Sequence, residues 1–342
     1  MKSKILLIYT GGTIGMVKDY KSKSLVPLDF DNIYDRLPEI NQLDCKIITL
    51  SLKEPIDSSN VKPKHWIDLA ELIEKNYAQF DAFVILHGTD TMSFTASALS
   101  FMLEGLQKPV ILTGSQLPIG DLRTDAKENM ITSIYIATLK KNNKALIKEV
   151  SVYFEYKLYR GNRTTKFSAE QFDAFISSNY PFLIESGVNL QINNHLLYQA
   201  TQKKLKVYKL FSEEVAILKI FPGISQQVVE AILNIPNIKG IILETFGAGN
   251  APTEKWFLNL IEKAILRGII IVNVTQCLAG RVIQGKYEAS SHLKKIGVIS
   301  SEDMTTESAL TKMMLGLANT NSSMHFKQYF TSNVRGEISN MS

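Results

Sequence analysis

Short apolar runs that stop at glycine- and hydroxyl-bearing turns constrain this chain more than any other feature. Ile5–Tyr9, Ala82–Leu86 and Pro109–Thr113 each span five residues with little or no polar alternation. Such runs read as strands buried on both faces, as in a parallel sheet covered by helices. Each stops at a polar turn: Thr10-Gly11-Gly12-Thr13, His87-Gly88-Thr89-Asp90-Thr91 and Gly114-Ser115-Gln116. Helical stretches return from them, predicted over Ser93–Glu104 and Arg123–Lys141. A further helix opens at Pro63, where Trp66, Leu69, Ala70, Ile73 and Tyr77 follow an i, i+3, i+4, i+7 pattern. The fold class that follows is α/β: a parallel sheet with helices on both faces and the polar turns gathered on one rim, where open sheets bind ligands.

The rest of the chain fits a larger domain followed by a smaller one. Residues 16–27 are rich in Lys and Ser without helical period and read as a loop. A short helix is expected over Asp31–Leu37, and strands over Cys45–Leu52 and Val150–Glu155. From Ser168 to Phe211 periodicity is lost. Strands then alternate with helices: Val215–Phe221, Gly240–Glu244 and Ile269–Val274, with helices near Val228 and Trp256. Thr305–Leu317 reads as a helix and the tail from Asn319 as polar. The expected division is a catalytic α/β domain over 1–185, a connection over 186–212 and a smaller α/β domain over 213–342.

Charge and cysteine content narrow the partners. Lys plus Arg number 38 against 33 Asp plus Glu, a mild excess of +5 spread along the chain without a basic stripe. No nucleic-acid partner is expected. No apolar run approaches the roughly 20 residues of a membrane span. Cys45 and Cys277 are distant and form no Cys-x-x-Cys, which suits a reducing cytoplasm. The five histidines (His65, His87, His195, His292, His325) lack ligand spacing, so neither a metal nor another cofactor is expected.

The first turn is not a nucleotide loop. Gly11-Gly12-x-x-Gly15 lacks the Gly-x-Gly-x-x-Gly spacing, and Gly-Lys-Ser/Thr is absent. What remains is a threonine nucleophile on a strand-end turn, covered by the polar loop after it. In the second turn Gly88 allows close approach, Thr89 offers a hydroxyl and Asp90 a carboxylate able to receive an ammonium. The plainer reading is that Asp90 or Thr91 caps the next helix. Asp57-Ser58-Ser59 can likewise cap the helix beyond Pro63 or face a ligand carboxylate. Lys166, in Gly161-Asn162-Arg163-Thr164-Thr165-Lys166, is either a surface charge or a proton carrier beside a threonine hydroxyl.

Together, Thr-Gly-Gly-Thr-Ile-Gly at 10–15, His-Gly-Thr-Asp-Thr-Met at 87–92 and Arg-Gly-Asn-Arg-Thr-Thr-Lys at 160–166 resemble the bacterial L-asparaginases. Thr-Gly-Ser-Gln at 113–116, Gly-Asn-Ala-Pro at 249–252 and Thr-Gln-Cys at 275–277 point to the cytoplasmic type I group. Each motif alone is weak; all of them in this order over nearly the whole chain are specific.

The resemblance implies hydrolysis of L-asparagine through a threonine-linked acyl-enzyme. Thr13 matches the nucleophile, and Thr89, Asp90 and Lys166 match the second catalytic group. Gly12, Asp57, Ser58, Ser59, Gly88, Thr89 and Asp90 match substrate-binding positions. An auxiliary tyrosine is implied, with Tyr287 favoured over Tyr20. A homodimer or homotetramer is implied too, with Asn250 approaching a neighbour's site. The alternatives are a glutaminase, a tRNA amidotransferase subunit of this kind or a non-catalytic amino-acid sensor. The amidotransferase subunit is expected to carry an extra N-terminal region and a partner, and the intact Thr13, Thr89, Asp90 and Lys166 argue against the sensor. Some type I enzymes bind a second, activating asparagine near Thr165 and the Thr-Gln-Cys stretch, through an Arg where this chain has Glu244. That carboxylate either repels the effector or simply pairs with a nearby lysine or caps a helix, and both readings predict a hyperbolic rate curve. A sigmoidal curve would require a different cation, Lys286 or Arg281 first.

Overall fold

The computed structural model describes residues 2–18, 25–27, 37–199, 204–285 and 288–339. Two compact units divide the chain, Met1–Lys209 and Leu210–Ser342. The helix expected over 31–37 falls almost wholly outside the described residues, as do Tyr20, Lys286 and the auxiliary candidate Tyr287.

An eight-stranded sheet forms the first unit. Its strands are β1 (Ser3–Tyr9), β2 (Cys45–Ser51), β3 (Ala82–Leu86), β4 (Val110–Thr113), β5 (Val150–Phe154), β6 (Lys157–Arg160), β7 (Ile184–Ser186) and β8 (Leu190–Ile192). The spatial order is β8-β7-β6-β5-β4-β3-β1-β2. β2, β1, β3, β4 and β5 are mutually parallel, and β6, β7 and β8 are added antiparallel. The apolar runs predict this burial: all five residues of β3 and of β5 are buried. Helices α1 (Pro63–Asn76), α2 (Met92–Met102) and α3 (Ala126–Thr138) follow β2, β3 and β4. Ile5, Leu7, Tyr9, Val84 and Leu86 share one core cluster with Met130 and Ile134 of α3. Pro63 opens α1, and the Lys62 N–H at its N-cap donates to His65 Nδ1 at 3.0 Å.

In the second unit β9 (Val215–Lys219), β10 (Gly240–Thr245), β11 (Ile270–Thr275) and β12 (Ile299–Ser300) form a fully parallel sheet in sequence order. Helices α4 (Gln226–Leu233), α5 (Lys255–Leu266), α6 (Glu288–Lys295), α7 (Thr306–Asn319) and α8 (Ser323–Thr331) complete it.

Four local expectations are corrected. Residues 16–27 carry two short strands, Met16–Lys18 and Leu25–Pro27, paired antiparallel. The third helix ends at Thr138 rather than Lys141, because Asn142 and Asn143 at φ 53° and 59° turn the chain into a two-residue hairpin. The stretch 168–211 is not featureless: β7 and β8 extend the sheet edge, and the first unit runs through Lys209. The polar tail hides α8, whose Phe326 and Phe330, one turn apart, are fully buried. Beneath it the ammonium of Lys312, also fully buried, donates to the carbonyls of Phe330 (2.8 Å) and Ser332 (2.7 Å) and pairs with the Glu337 carboxylate.

Candidate active site

The strand order reverses between the parallel neighbours β1 and β3, since the chain leaves β1 for β2 on one side and β3 for β4 on the other. A crevice opens at the carboxyl ends of strands at such a switch point. Both threonine turns fall there. Thr10, one residue beyond β1, donates its N–H (3.0 Å) and its hydroxyl (2.9 Å) to the Leu86 carbonyl at the end of β3. The next two residues, Gly11 and Gly12, sit at φ 130° and 86°, open to glycine and strained for other residues. A Cβ on Gly12 would stand 2.5 Å from the Gly88 Cα and N, and one on Gly11 2.2 Å from the Ile56 carbonyl oxygen. The two turns therefore pack glycine on glycine, and each glycine is followed by a half-buried threonine, Thr13 and Thr89.

Lys166 completes the second turn. Its Nζ lies 2.8 Å from Thr89 Oγ1 and 2.7 Å from Asp90 Oδ1. The Lys166 side chain is 17 % exposed and that of Asp90 63 %, so the pair sits at the rim with the ammonium inward. One helix sets both halves of this contact. Thr89 and Asp90 lead directly into α2, and α2 presents small residues to the chain before Lys166. A Cβ on Gly161 would meet Ala96 Cβ and Ser100 Oγ, both at 3.2 Å. Larger side chains on α2 would lift the 161–166 stretch away. Arg160 and Arg163, both buried, brace that stretch from behind. Arg160 Nε pairs with Glu149 at 2.6 Å, and both guanidinium groups stack on Tyr180.

The Asp57-Ser58-Ser59 loop joins from the β2 side. Thr91 Oγ1 donates to the Ser58 carbonyl at 2.7 Å, and a Cβ on Gly88 would stand 2.6 Å from Ser58 Oγ. Asp57 accepts the backbone N–H (3.0 Å) and hydroxyl (2.9 Å) of Ser59, which hold its carboxyl below the usual range. It caps the short turn Ser58–Asn60 rather than α1, and Thr91 makes no side-chain cap to α2. Asp57 thus stiffens its own loop, and Thr91 ties that loop to the second threonine turn.

Sequence reasoning gave His87 no task, and the structure does. Its ring is buried and its pKa is pushed down to about 4 by that burial, so the imidazole is neutral. Nδ1 lies 2.7 Å from the Gly88 carbonyl, which can only accept, so Nδ1 carries the proton. Nε2 then accepts from Thr95 Oγ1 (3.0 Å), which in turn receives the Trp66 indole N–H (3.1 Å). With its carbonyl held, the planar Gly88–Thr89 peptide presents its N–H the other way. Asp125 acts similarly on the turn after β4, accepting the Gln116 (2.9 Å) and Leu117 (3.1 Å) N–H groups, while Asn129 Nδ2 donates to the Gly114 carbonyl at 3.0 Å. A histidine closing a wholly apolar strand just before Gly-Thr-Asp was the available signal for the first; nothing local marked the second.

Among the described residues no group of His, Cys, Asp and Glu could hold a metal ion, and no helix is long and apolar enough to cross a membrane. The site is built for polar chemistry on a small molecule. Comparison with known proteins agrees with this. Residues 4–198 match the family model for the asparaginase N-terminal domain, and residues 214–330 the one for the glutaminase/asparaginase C-terminal domain. The chain is 40 % identical over 338 residues to L-asparaginase 1 of Escherichia coli strain K12, covering 98 % of each. It is 39 % identical over 360 residues to a mouse 60 kDa lysophospholipase, covering 98 % of this chain and 62 % of that one. The crystal structure of L-asparaginase I from Vibrio cholerae superposes with a TM-score of 0.90 at 38 % identity, covering 99 % of this chain and all of that one. By both family models and by whole-length identity, this chain belongs to the asparaginase family.

Proposed function

We propose that the protein hydrolyses L-asparagine to L-aspartate and ammonia, with Thr13 as nucleophile and Thr89, Lys166 and Asp90 as the group that handles protons. The observation that carries this reading is the Lys166 contact with Thr89 (2.8 Å) and Asp90 (2.7 Å) beside the Gly12–Gly88 apposition. Thr13 Oγ1 attacks the side-chain amide carbon. Its proton passes by way of Thr89 and Lys166 to the amide nitrogen, which departs as ammonia and leaves an ester on Thr13. Water then adds its oxygen to the acyl carbon, its proton returns to Thr13, and aspartate leaves. Charge on the carbonyl oxygen is met by backbone N–H groups of the two glycine turns, and His87 keeps the second of these peptides oriented. The Asp90 carboxylate suits the substrate's ammonium, and the Ser58 hydroxyl its carboxylate, while Ser59 keeps its donors on Asp57. Gly12 and Gly88 let the two turns pack against each other, which brings Thr13 and Thr89 to one rim.

The same reading gives a homodimer or homotetramer without cofactor. It is a cytoplasmic protein, consistent with Cys45 and Cys277 as free thiols. Ammonia release from asparagine and glutamine, measured side by side on the purified protein, tests it. Faster release from asparagine is expected. Faster release from glutamine would make the enzyme a glutaminase, and no release from either would leave the sensor reading.

A further inference from the structure

Behind the Asp57–Ser59 loop the first unit holds a cavity of about 300 Å³, the size of a small-ligand site. Ile56 and Asn60, which bracket that loop, line it, whereas Thr13, Thr89, Asp90 and Lys166 do not. The cavity is therefore separate from the catalytic rim. One side of α1 forms a wall. At about 100° per residue, His65, Trp66, Asp68 and Leu69 cover about 160° of that helix, with Trp66 on the buried flank and Asp68 on the exposed one. Buried Thr10, His87 and Thr95 close the inner end.

The side-chain donors of that inner end are all committed. The Thr10 hydroxyl donates to the Leu86 carbonyl, and His87 Nδ1 to the Gly88 carbonyl. The Thr95 hydroxyl donates to His87 Nε2 while it accepts the Trp66 indole N–H. A polar group pushed inward would lose water without gaining a donor, so an apolar body fits there best. The unspent charge lies at the mouth. Glu54 and Asp68 line the cavity and are exposed, and among the described residues neither takes part in an ion pair. No lysine or arginine is among its described lining residues. An anion would meet two like charges, and a neutral molecule would leave both carboxylates without a counter-charge.

We propose that this cavity binds a small organic amine, with its apolar body against the inner wall and its ammonium at the Glu54 and Asp68 carboxylates. Burial of the apolar body supplies most of the affinity, and the carboxylates select the cation over a neutral molecule of the same shape.

Fluorescence titration with benzylamine tests the proposal, with benzyl alcohol as the neutral counterpart. Trp66 and Trp256 are the two tryptophans of the chain, so Trp256→Phe leaves Trp66 as a reporter on the cavity wall. One saturable change in Trp66 emission is expected, weakening as salt rises, with the amine bound at least about fivefold more tightly than the alcohol. In the same background, Glu54→Gln with Asp68→Asn should remove that preference, while affinity for the alcohol, melting temperature and turnover of asparagine stay unchanged. A control with the same net charge, Glu213→Gln with Glu262→Gln, should bind as the parent does. L-Aspartate should not displace benzylamine, because the catalytic rim lies outside the cavity. Equal affinity for the two probes, equal losses in both double variants, displacement by L-aspartate, or no change in Trp66 emission would overturn it.

Discussion

At the scale of single residues, the proposed chemistry rests on atoms whose separation is set by glycine. Gly12 and Gly88 touch backbone to backbone, and no side chain could be inserted at Gly12 without parting the two turns. The candidates Thr13, Thr89, Asp90, Lys166 and the Asp57–Ser59 loop could be named from the sequence because each lies in an ordered motif. His87 was not, because its work lies in a contact with its neighbour's carbonyl that only the turn geometry creates. Lys166 offers the sharper test at this scale. Lys166→Met keeps the stem and removes the ammonium that contacts Thr89 and Asp90. Turnover is expected to fall at least about a hundredfold, as for other acid–base groups. A loss below about tenfold, in an enzyme assay at saturating asparagine, would make Lys166 a surface charge.

At the scale of elements, the parallel strands and their helices were readable because each has one period over its whole length. The misses share a cause. β7, β8 and the hairpin after α3 are two or three residues per strand, too short for alternation to register. α8 buries two aromatic rings on an otherwise polar helix, so its composition resembled a tail. The β5–β6 turn supplies a test of the electrostatics. Glu155 sits there at φ 41° with its N–H on Asn129 Oδ1 (3.0 Å). Its carboxyl is pushed up to about 7, first by burial and then by Asp125, Glu128 and Asp173. A folded-state pKa above the unfolded 4.5 means that stability is full below that value and falls as pH rises towards about 7. Glu155 is half-buried, so solvent screening reduces the effect to roughly 1 kcal/mol. Glu155→Gln should therefore raise the melting temperature by about 1–3 °C near pH 8, with most of the gain gone near pH 5. An equal gain at both pH values would contradict the assignment.

At the scale of the whole molecule, the second unit carries the residue that departs from the family pattern. Glu244, at the end of β10, is buried and accepts the Thr306 hydroxyl at 2.7 Å, and Lys219 Nζ lies 3.4 Å from its other oxygen. The carboxylate thus has the lysine partner that the plainer reading supposed, where an activating asparagine would need a cation. The rate is expected to rise hyperbolically with asparagine, without activation. A clearly sigmoidal curve that persists after correction for substrate depletion would require an effector site built on a different cation, Arg281 or Lys286 first. The family and the two-sheet architecture were legible from end to end because motifs punctuate both halves. Which tyrosine would assist Thr13 was not legible, and both candidates, Tyr20 and Tyr287, lie outside the described residues. The central claim concerns one hydroxyl, and ammonia release from asparagine by Thr13→Ala tests it most directly. Thr13 is half-buried on a turn held by backbone contacts, so the variant should fold with an unchanged melting temperature. Turnover is expected to fall by several orders of magnitude, whereas a folded Thr13→Ala protein with near-normal turnover would show that the nucleophile lies elsewhere.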